Sequence, residues 1–433
     1  MNSNTSVDDP PAAYVRPDFN PLAPEYLRDP YPILEAARHE QPVFFAPQLG
    51  IWVVTRYADL LAVTADWQTF SQSAARLMPV PEEIRDRVTE DWFEEAFMNA
   101  DPPVHTVARK AVNAGFTRSR ILAMEPRMRE TAHRLIDGFA ADGHCEFMSQ
   151  YAYPMGATTL ATFVGLPIED MPRLKAWAQD LLILAYPRNA AVPGSDEIIG
   201  KHMSHAELIE RWTRLAECRE YLHEQIRLRV EQPQEDLIST LVQLRDDAGE
   251  PALKTERIVT HLIDLIAAGT DTVAPLTAQL LKFLIEDPEQ LAAVRADPSL
   301  LENAVEETLR ARGTGNLLLR YTSRAAEIGG VPIPAGAVVA LSYAAGGRDE
   351  EKFACPHQFD VHREDASDHL AFGRGRHFCI GAPLARAQAR ISAEAMLERL
   401  PDLGLVPGQQ LDYHSAIGVF MLQAIAFEWS ATA

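Results

Sequence analysis

The stretch FGRGRHFCIGAPLAR, residues 372–386, surrounds a single thiol with glycine and positive charge. Most lone cysteines are small buried hydrophobes. The neighbours of Cys379 point elsewhere. Gly373, Gly375 and Gly381 permit turns and close approaches that a Cβ would block. The run CIGAPLARAQARISAEAMLERL has a helical pattern that begins at the cysteine. A thiolate there gains from free N–H groups and the positive end of the helix dipole. A glycine-lined loop presenting such a thiolate to a flat partner suits the axial position on haem iron.

Three other clusters could support that chemistry. AAGTDTV, residues 267–273, puts Ala268, Gly269, Asp271 and Thr272 inside a long helical pattern. A glycine there costs about 1 kcal/mol relative to alanine, so it calls for a reason. Pro275 adds a second oddity, because it cannot donate to the carbonyl of residue 271 and its ring crowds that carbonyl. Together Gly269 and Pro275 are expected to hold the helix open around Asp271 and Thr272. HTVAR places His105 and Arg109 at i and i+4, on one helix face. EETLR offers Glu307 to Arg310 at i and i+3, and Glu306 to the same arginine at i and i+4.

HLAFGRGRHFCIGAPLAR resembles the haem-ligand loop of the cytochrome P-450 family of haem-thiolate monooxygenases. The likeness extends from about residue 20 to the end, because the other clusters follow in the family's order. It implies a mainly α fold with a minor β-sheet region and haem b between the long central helix and the cysteine loop. By resemblance, Cys379 is the iron ligand, in a loop that includes Phe372, Gly373 and Gly381. Ala268 and Gly269 lie over the haem, with Gly269 opening a groove. Asp271 and Thr272 are the acid–alcohol pair that delivers protons for oxygen activation. His105, Arg109, Arg320 and His377 match the family's contacts to the haem propionates. Glu307 and Arg310 match its structural ion pair. Two departures touch that pair: ARGTGNLLLR lacks the usual following proline, and PHQF carries Gln358 where an arginine is common, which leaves Arg363 to serve.

The implied reaction inserts one oxygen atom into a small organic molecule. Electrons come indirectly from NAD(P)H through a separate partner, a ferredoxin or flavodoxin-type protein. Arg374 and Arg376 are expected to face solvent on the cysteine side of the haem and to dock it. A peroxide-using enzyme is the alternative, against which GTDT speaks; a non-catalytic haem sensor would not need Asp271 and Thr272.

The whole chain agrees with this. Its 433 residues carry a formal net charge of −21, which repels nucleic acid and anionic membranes. Against that background, Arg374, Arg376, Arg386 and Arg390 face only Asp368 between residues 366 and 390. The cysteines at 145, 218, 355 and 379 have neither disulfide-framework nor CxxC spacing, which favours a reducing, cytoplasmic setting. The start lacks the pattern of a signal peptide, and no run approaches the roughly 20 apolar residues of a membrane span.

Residues 1–16 read as a flexible tail and 17–433 as one catalytic domain. PVFFAP and GIWVVTR read as a hairpin. Residues 255–286 read as one helix of roughly 45–50 Å, stopped by Asp287-Pro288. Ser299 and Glu302 have capping-box spacing. IGGVPIPAGAVVALS reads as strand, turn, strand. Segments 71–100 and 180–205 are expected to line or cover the substrate pocket, with Arg76 and Arg188 near a hydrophobic or carboxylate-bearing substrate.

Overall fold

A computed structural model describes residues 10–88, 91–187, 203–270, 272–414 and 418–430. Nine helices frame the site: α1 (Val104–Asn113), α2 (Arg118–Asp137), α3 (Tyr153–Val164), α4 (Met171–Leu184), α5 (His205–Glu231), α6 (Thr255–Thr270), α7 (Val273–Glu286), α8 (Leu300–Arg312) and α9 (Ala382–Arg399). Periodicity explains their packing. In α5, Trp212, Leu215, Leu222 and Ile226 recur on one face, and all four are buried. Helix α9 packs against α2, α7 and α8, while α6 packs against α3, α4 and α5.

The main sheet contains β1 (Val43–Ala46), β2 (Ile51–Val54), β3 (Phe70–Ser71), β4 (Leu317–Thr322) and β5 (Val338–Ser342), in the order β1-β2-β5-β4-β3. The expected hairpin is β1–β2, with Phe44 opposite Val53. Strand β5 runs parallel to β2 and antiparallel to β4, with Val339 opposite Arg320. This register fixes Arg320 on a buried central strand.

Several expectations change. The tail is docked from residue 12: Ala12–Tyr14 form a 3-10 turn, Val15 bridges Phe45, and the Arg16 amide donates to the Phe45 carbonyl at 2.9 Å. The strands of 326–342 are not partners across Pro334–Gly336. Residues 331–333 pair instead with 326–328 through a turn at Gly329 and Gly330, and 338–342 join the main sheet.

Ser299 caps nothing, because its hydroxyl donates to Asp297 Oδ1 at 2.7 Å. The capping box forms at Ser204 and Glu207, the start of α5. The long helix is two segments, with Thr272 between them. Pro275 then sits in the first turn of α7, where a missing N–H leaves no bond unmade. No helix among the described residues is long and apolar enough to cross a membrane.

Candidate active site

The cysteine loop is built by its glycines. Gly373 and Gly375 have φ of +70° and +72°, a region that costs other residues strain. The Gly373 amide donates to Leu370 at 2.7 Å, and the Cys379 amide donates back to Phe372 at 2.8 Å. A Cβ on Gly375 would stand 3.2 Å from the Thr64 carbonyl oxygen. Helix α9 starts at Ala382 with Gly381 as its N-cap, three residues later than the sequence pattern suggests. Cys379 therefore precedes the helix and faces its first amides. Burial pushes the thiol up, but the Gly381 and Ala382 N–H groups, with Arg109 and Arg386, pull it down. Those are the groups a thiolate needs.

Beside it lies a cradle of two guanidiniums and two imidazoles with few anions. His105 and Arg109 come from α1, Arg320 from β4 and His377 from the loop. The His105 and His377 rings are 4.1 Å apart. Neither nitrogen of His105 has a hydrogen-bond partner, nor does Nε2 of His377. Burial, then His105, Arg320 and Arg109, push His377 down to about 3. Burial and Arg109 also lower His105, opposed by Asp101. Arg320 is 6% exposed and donates to the Leu319 carbonyl at 2.8 Å. Arg109 donates to Asn113 Oδ1 at 3.0 Å. Orphaned buried donors that converge with two guanidiniums make an anion site. The four residues and Cys379 fit a haem whose carboxylates fill the cradle while the thiolate holds its iron.

Thr272 Oγ1 donates to the Ala268 carbonyl at 2.9 Å, a back-bond that competes with the helix ladder where the two segments part. Residues 267–269, 272 and 273 are half-buried, whereas the residues on either side in both segments are buried. The middle of this helix pair is thus partly exposed. Gly269 also permits close helix packing, since its Cβ position faces Leu160 of α3, 3.1 Å from Cδ1. Asp271 and Arg188 lie outside the described residues. Arg76 pairs with Glu94 at 2.6 Å at the surface. The two segments expected to cover the pocket do meet, since residues 75–77 pair with 185–187.

The Glu307–Arg310 pair is fully buried, with contacts of 2.6 and 2.8 Å. Arg363 completes it, donating to Glu307 Oε1 at 3.0 Å and to the carbonyls of Ala354, Cys355 and Gln358. Glu306 turns the other way. It binds Arg386 through two contacts of 2.6 and 2.7 Å and lies 3.3 Å from His369. Although burial opposes it, Arg386 and His369 hold this carboxyl down at about 2. Arg386 also lies over the Phe372 ring, 4.7 Å from its centre. Arg390 is held by Glu125 and Glu394. Half of the basic patch is therefore tied inward. Arg374 is half-buried and Arg376 exposed, and neither has an acidic partner among the described residues.

Comparisons with known proteins agree with this geometry. Residues 78–407 match the family described as Cytochrome P-450. The monooxygenase PikC of Streptomyces venezuelae is 33% identical over 95% of this chain and 94% of its own length. The cyclomarin C epoxidase CymV of Salinispora arenicola is 33% identical over 89% and 92%. Among solved structures, P450BioI in complex with an acyl carrier protein that bears hexadec-9Z-enoic acid superposes with a TM-score of 0.79 at 28% identity, over 94% of this chain and all of that one.

Proposed function

We propose roles for these groups on one premise: the chain belongs to the cytochrome P-450 family and is a haem-thiolate monooxygenase, an oxidoreductase acting on a small organic substrate with haem b and electrons from NAD(P)H by way of a redox partner. When bound, the haem supplies oxygen activation, which a thiolate ligand favours by pushing electron density toward the oxygen. Cys379 is the ligand, and Phe372, Gly373 and Gly381 shape its loop. His105, Arg109, Arg320 and His377 hold the propionates. The observation that carries this reading is the pair of orphaned, closely apposed histidines beside two arginines and a thiol that meets helix-start amides. Ala268 lines the face toward the haem. Residues 17–433 act as one catalytic unit. All four cysteines are free, which supports a cytoplasmic setting.

Thr272 holds a proton at Oγ1. Released from the Ala268 carbonyl, that hydroxyl is a donor at the partly exposed centre of the helix pair, and Asp271 relays protons to it. Thr272→Ala is expected to keep haem content and substrate binding while diverting most reducing equivalents to hydrogen peroxide. Peroxide and product measured per NAD(P)H consumed test this; fully coupled product formation overturns the role.

The partner is an acidic ferredoxin, or a flavodoxin-type protein of like charge, docking on the cysteine side. Arg374 and Arg376 supply charge, and Val104 and Val107 on α1, 40% and 60% exposed, supply apolar contact. Exposed charges act mainly on association rate. Arg374→Glu with Arg376→Glu is expected to slow reduction by such a ferredoxin about tenfold or more and to flatten its salt dependence, with haem content kept. Lost haem with unchanged reduction kinetics overturns the assignment. The substrate is a largely hydrophobic molecule. For the carboxylate alternative, Arg76 is already paired with Glu94, which leaves Arg188 as its candidate.

A further inference from the structure

Residues 72–88 and 91–100 leave the main sheet after β3 and return at the start of α1. They lie on the body of the enzyme as a strap. Leu77, Val80, Ile84, Trp92 and Phe97 are buried in the large core cluster, and residues 75–77 pair with 185–187. The outer ties of the strap are exposed ion pairs. Glu83 meets His205 at 3.0 Å and Arg87 meets Glu220 at 2.8 Å, both on α5, while Glu95 meets Arg257 of α6 at 2.6 Å. Exposed pairs contribute little and are screened by salt. They hold the strap along its length but do not join its ends.

One carboxylate joins them. Asp101, where the strap returns, accepts from the Gln72 amide at 3.1 Å through Oδ1 and from the adjoining Ser71 hydroxyl through Oδ2. Ser71 Oγ in turn accepts from the Ser73 amide at 3.0 Å. Hydrogen bonds to an ionised carboxylate are roughly twice as strong as neutral ones. The same clasp reaches the haem cradle from two sides. Ser71 ends β3 opposite Tyr321, the residue after Arg320 on β4. The Asp101 carbonyl accepts from the His105 amide at 3.0 Å, one turn on in α1. Its charge is felt there as well: burial lowers both His105 and Arg320, and Asp101 opposes the fall in each.

We propose that Asp101 is a positioning residue that couples closure of the strap to the hold of His105 and Arg320 on the haem. With the clasp made, the neck of the strap, the start of α1 and the edge between β3 and β4 are one unit. With it broken, the strap opens and the two cradle residues lose their fixed places together. This rests on the monooxygenase reading and adds a regulation to it: an enzyme whose strap is closed keeps its haem more firmly than one whose strap is open.

Three substitutions separate the clasp from its charge. Ser71→Ala removes one bond and keeps the charge. Asp101→Asn removes the charge and can keep both bonds, since an amide oxygen accepts from Gln72 and the amide nitrogen donates to Ser71. Asp101→Ala removes bonds and charge together. The haem-loaded enzymes are treated with trypsin, and cleavage at Arg85 and Arg87, exposed on the strap, is timed. Transfer of haem to excess apomyoglobin gives the rate of haem loss. Asp101→Ala should speed both about tenfold, the size of one well-made hydrogen bond to a charged group. Ser71→Ala should speed both by a smaller factor, and Asp101→Asn should stay within about threefold of the wild type. The reduction potential is a readout that a merely structural role does not move. It should rise in Asp101→Asn, because a negative charge beside the cradle is gone, and stay unchanged in Ser71→Ala.

Ser71→Ala should add little to either rate in an Asp101→Ala background, because the bond it breaks is already lost; full additivity overturns the clasp. Faster strap cleavage with an unchanged rate of haem loss would make Asp101 a local loop anchor and overturn the coupling, as would an unchanged potential in Asp101→Asn. Equal acceleration of cleavage at Arg227 of α5 would mean general loosening and also overturns it. If Asp101→Ala fails to fold, Ser71→Ala and Asp101→Asn still decide. A wild type that takes up no haem would count against the monooxygenase reading instead, so the two failures are distinguishable.

Discussion

Cys379→Ala is expected to abolish oxygen transfer, and its reduced carbon monoxide complex to lose the red-shifted Soret band that thiolate ligation confers. Cys145→Ala, Cys218→Ala and Cys355→Ala keep both. The difference follows from where each sulfur sits. Cys145 and Cys218 are packed in the core, and burial pushes both thiols up to about 12. They are small hydrophobes that hold their protons. Cys355 is exposed on the far side of the Arg310 network, where its carbonyl accepts from Arg363. Burial pushes the Cys379 thiol up as well, but only there do two helix-start amides, with Arg109 and Arg386, oppose it. Absorbance spectra of the four variants, with turnover measured alongside, check the expectation. A surviving thiolate band in Cys379→Ala would end the assignment, because it would require another sulfur on the iron. Cys379→Ala should also retain its fold before haem is considered, since the loop is shaped by Gly373 and Gly375 and by backbone bonds that alanine keeps.

What could be read in the sequence is what leaves a mark on residue type. A left-handed backbone demands glycine, so the loop around residues 373–375 was legible. A proline without an N–H marks a helix start or break, so an opening near Thr272 was legible, though not the division of 255–286 into two helices. Interactions between distant segments leave no such mark. Glu306 and Arg310 have a respectable helical spacing, yet Glu306 pairs with Arg386, 80 positions away. Nothing in either local pattern selects that partner, and Arg386 consequently looked like part of a docking surface. Ser299 and Ser204 carry the same capping signature; the first fails because Asp297 competes for its hydroxyl. Gly269 stands out in the sequence as costly in a helix, but its contact with Leu160 on another helix is tertiary and leaves no local mark.

Arg310→Leu is expected to cost about 3–5 kcal/mol of folding stability, the usual penalty for breaking a buried ion pair. Glu307 would keep only Arg363 as a cationic partner, and its side chain has no exposure to water. A simple buried pair can often be replaced whole by apolar residues with little loss. This one should resist that replacement. Arg310 also donates to the carbonyls of Gly347, Pro356 and Gln358, and Glu307 accepts from the Asp360 amide. Removing both side chains therefore strands the carbonyls of Gly347 and Pro356 and the Asp360 N–H, while Gln358 keeps Arg363, each stranded group at a cost of about 1–3 kcal/mol less what relaxation recovers. The double variant Glu307→Leu with Arg310→Leu should thus recover less than half of the stability lost in Arg310→Leu.

Arg363→Leu should be milder than Arg310→Leu. It leaves the 307–310 pair intact, and although its side chain is only 9% exposed, three of its four bonds are to backbone at the exposed edge. Chemical denaturation of the four proteins, with haem content measured alongside, orders them. A double variant as stable as the wild type would show that the pair acts alone and that the loop at 347–360 does not depend on it. That loop precedes the cysteine segment by only a dozen residues. If the network is its anchor, Arg310→Leu should lose haem at denaturant concentrations well below those that unfold the helices.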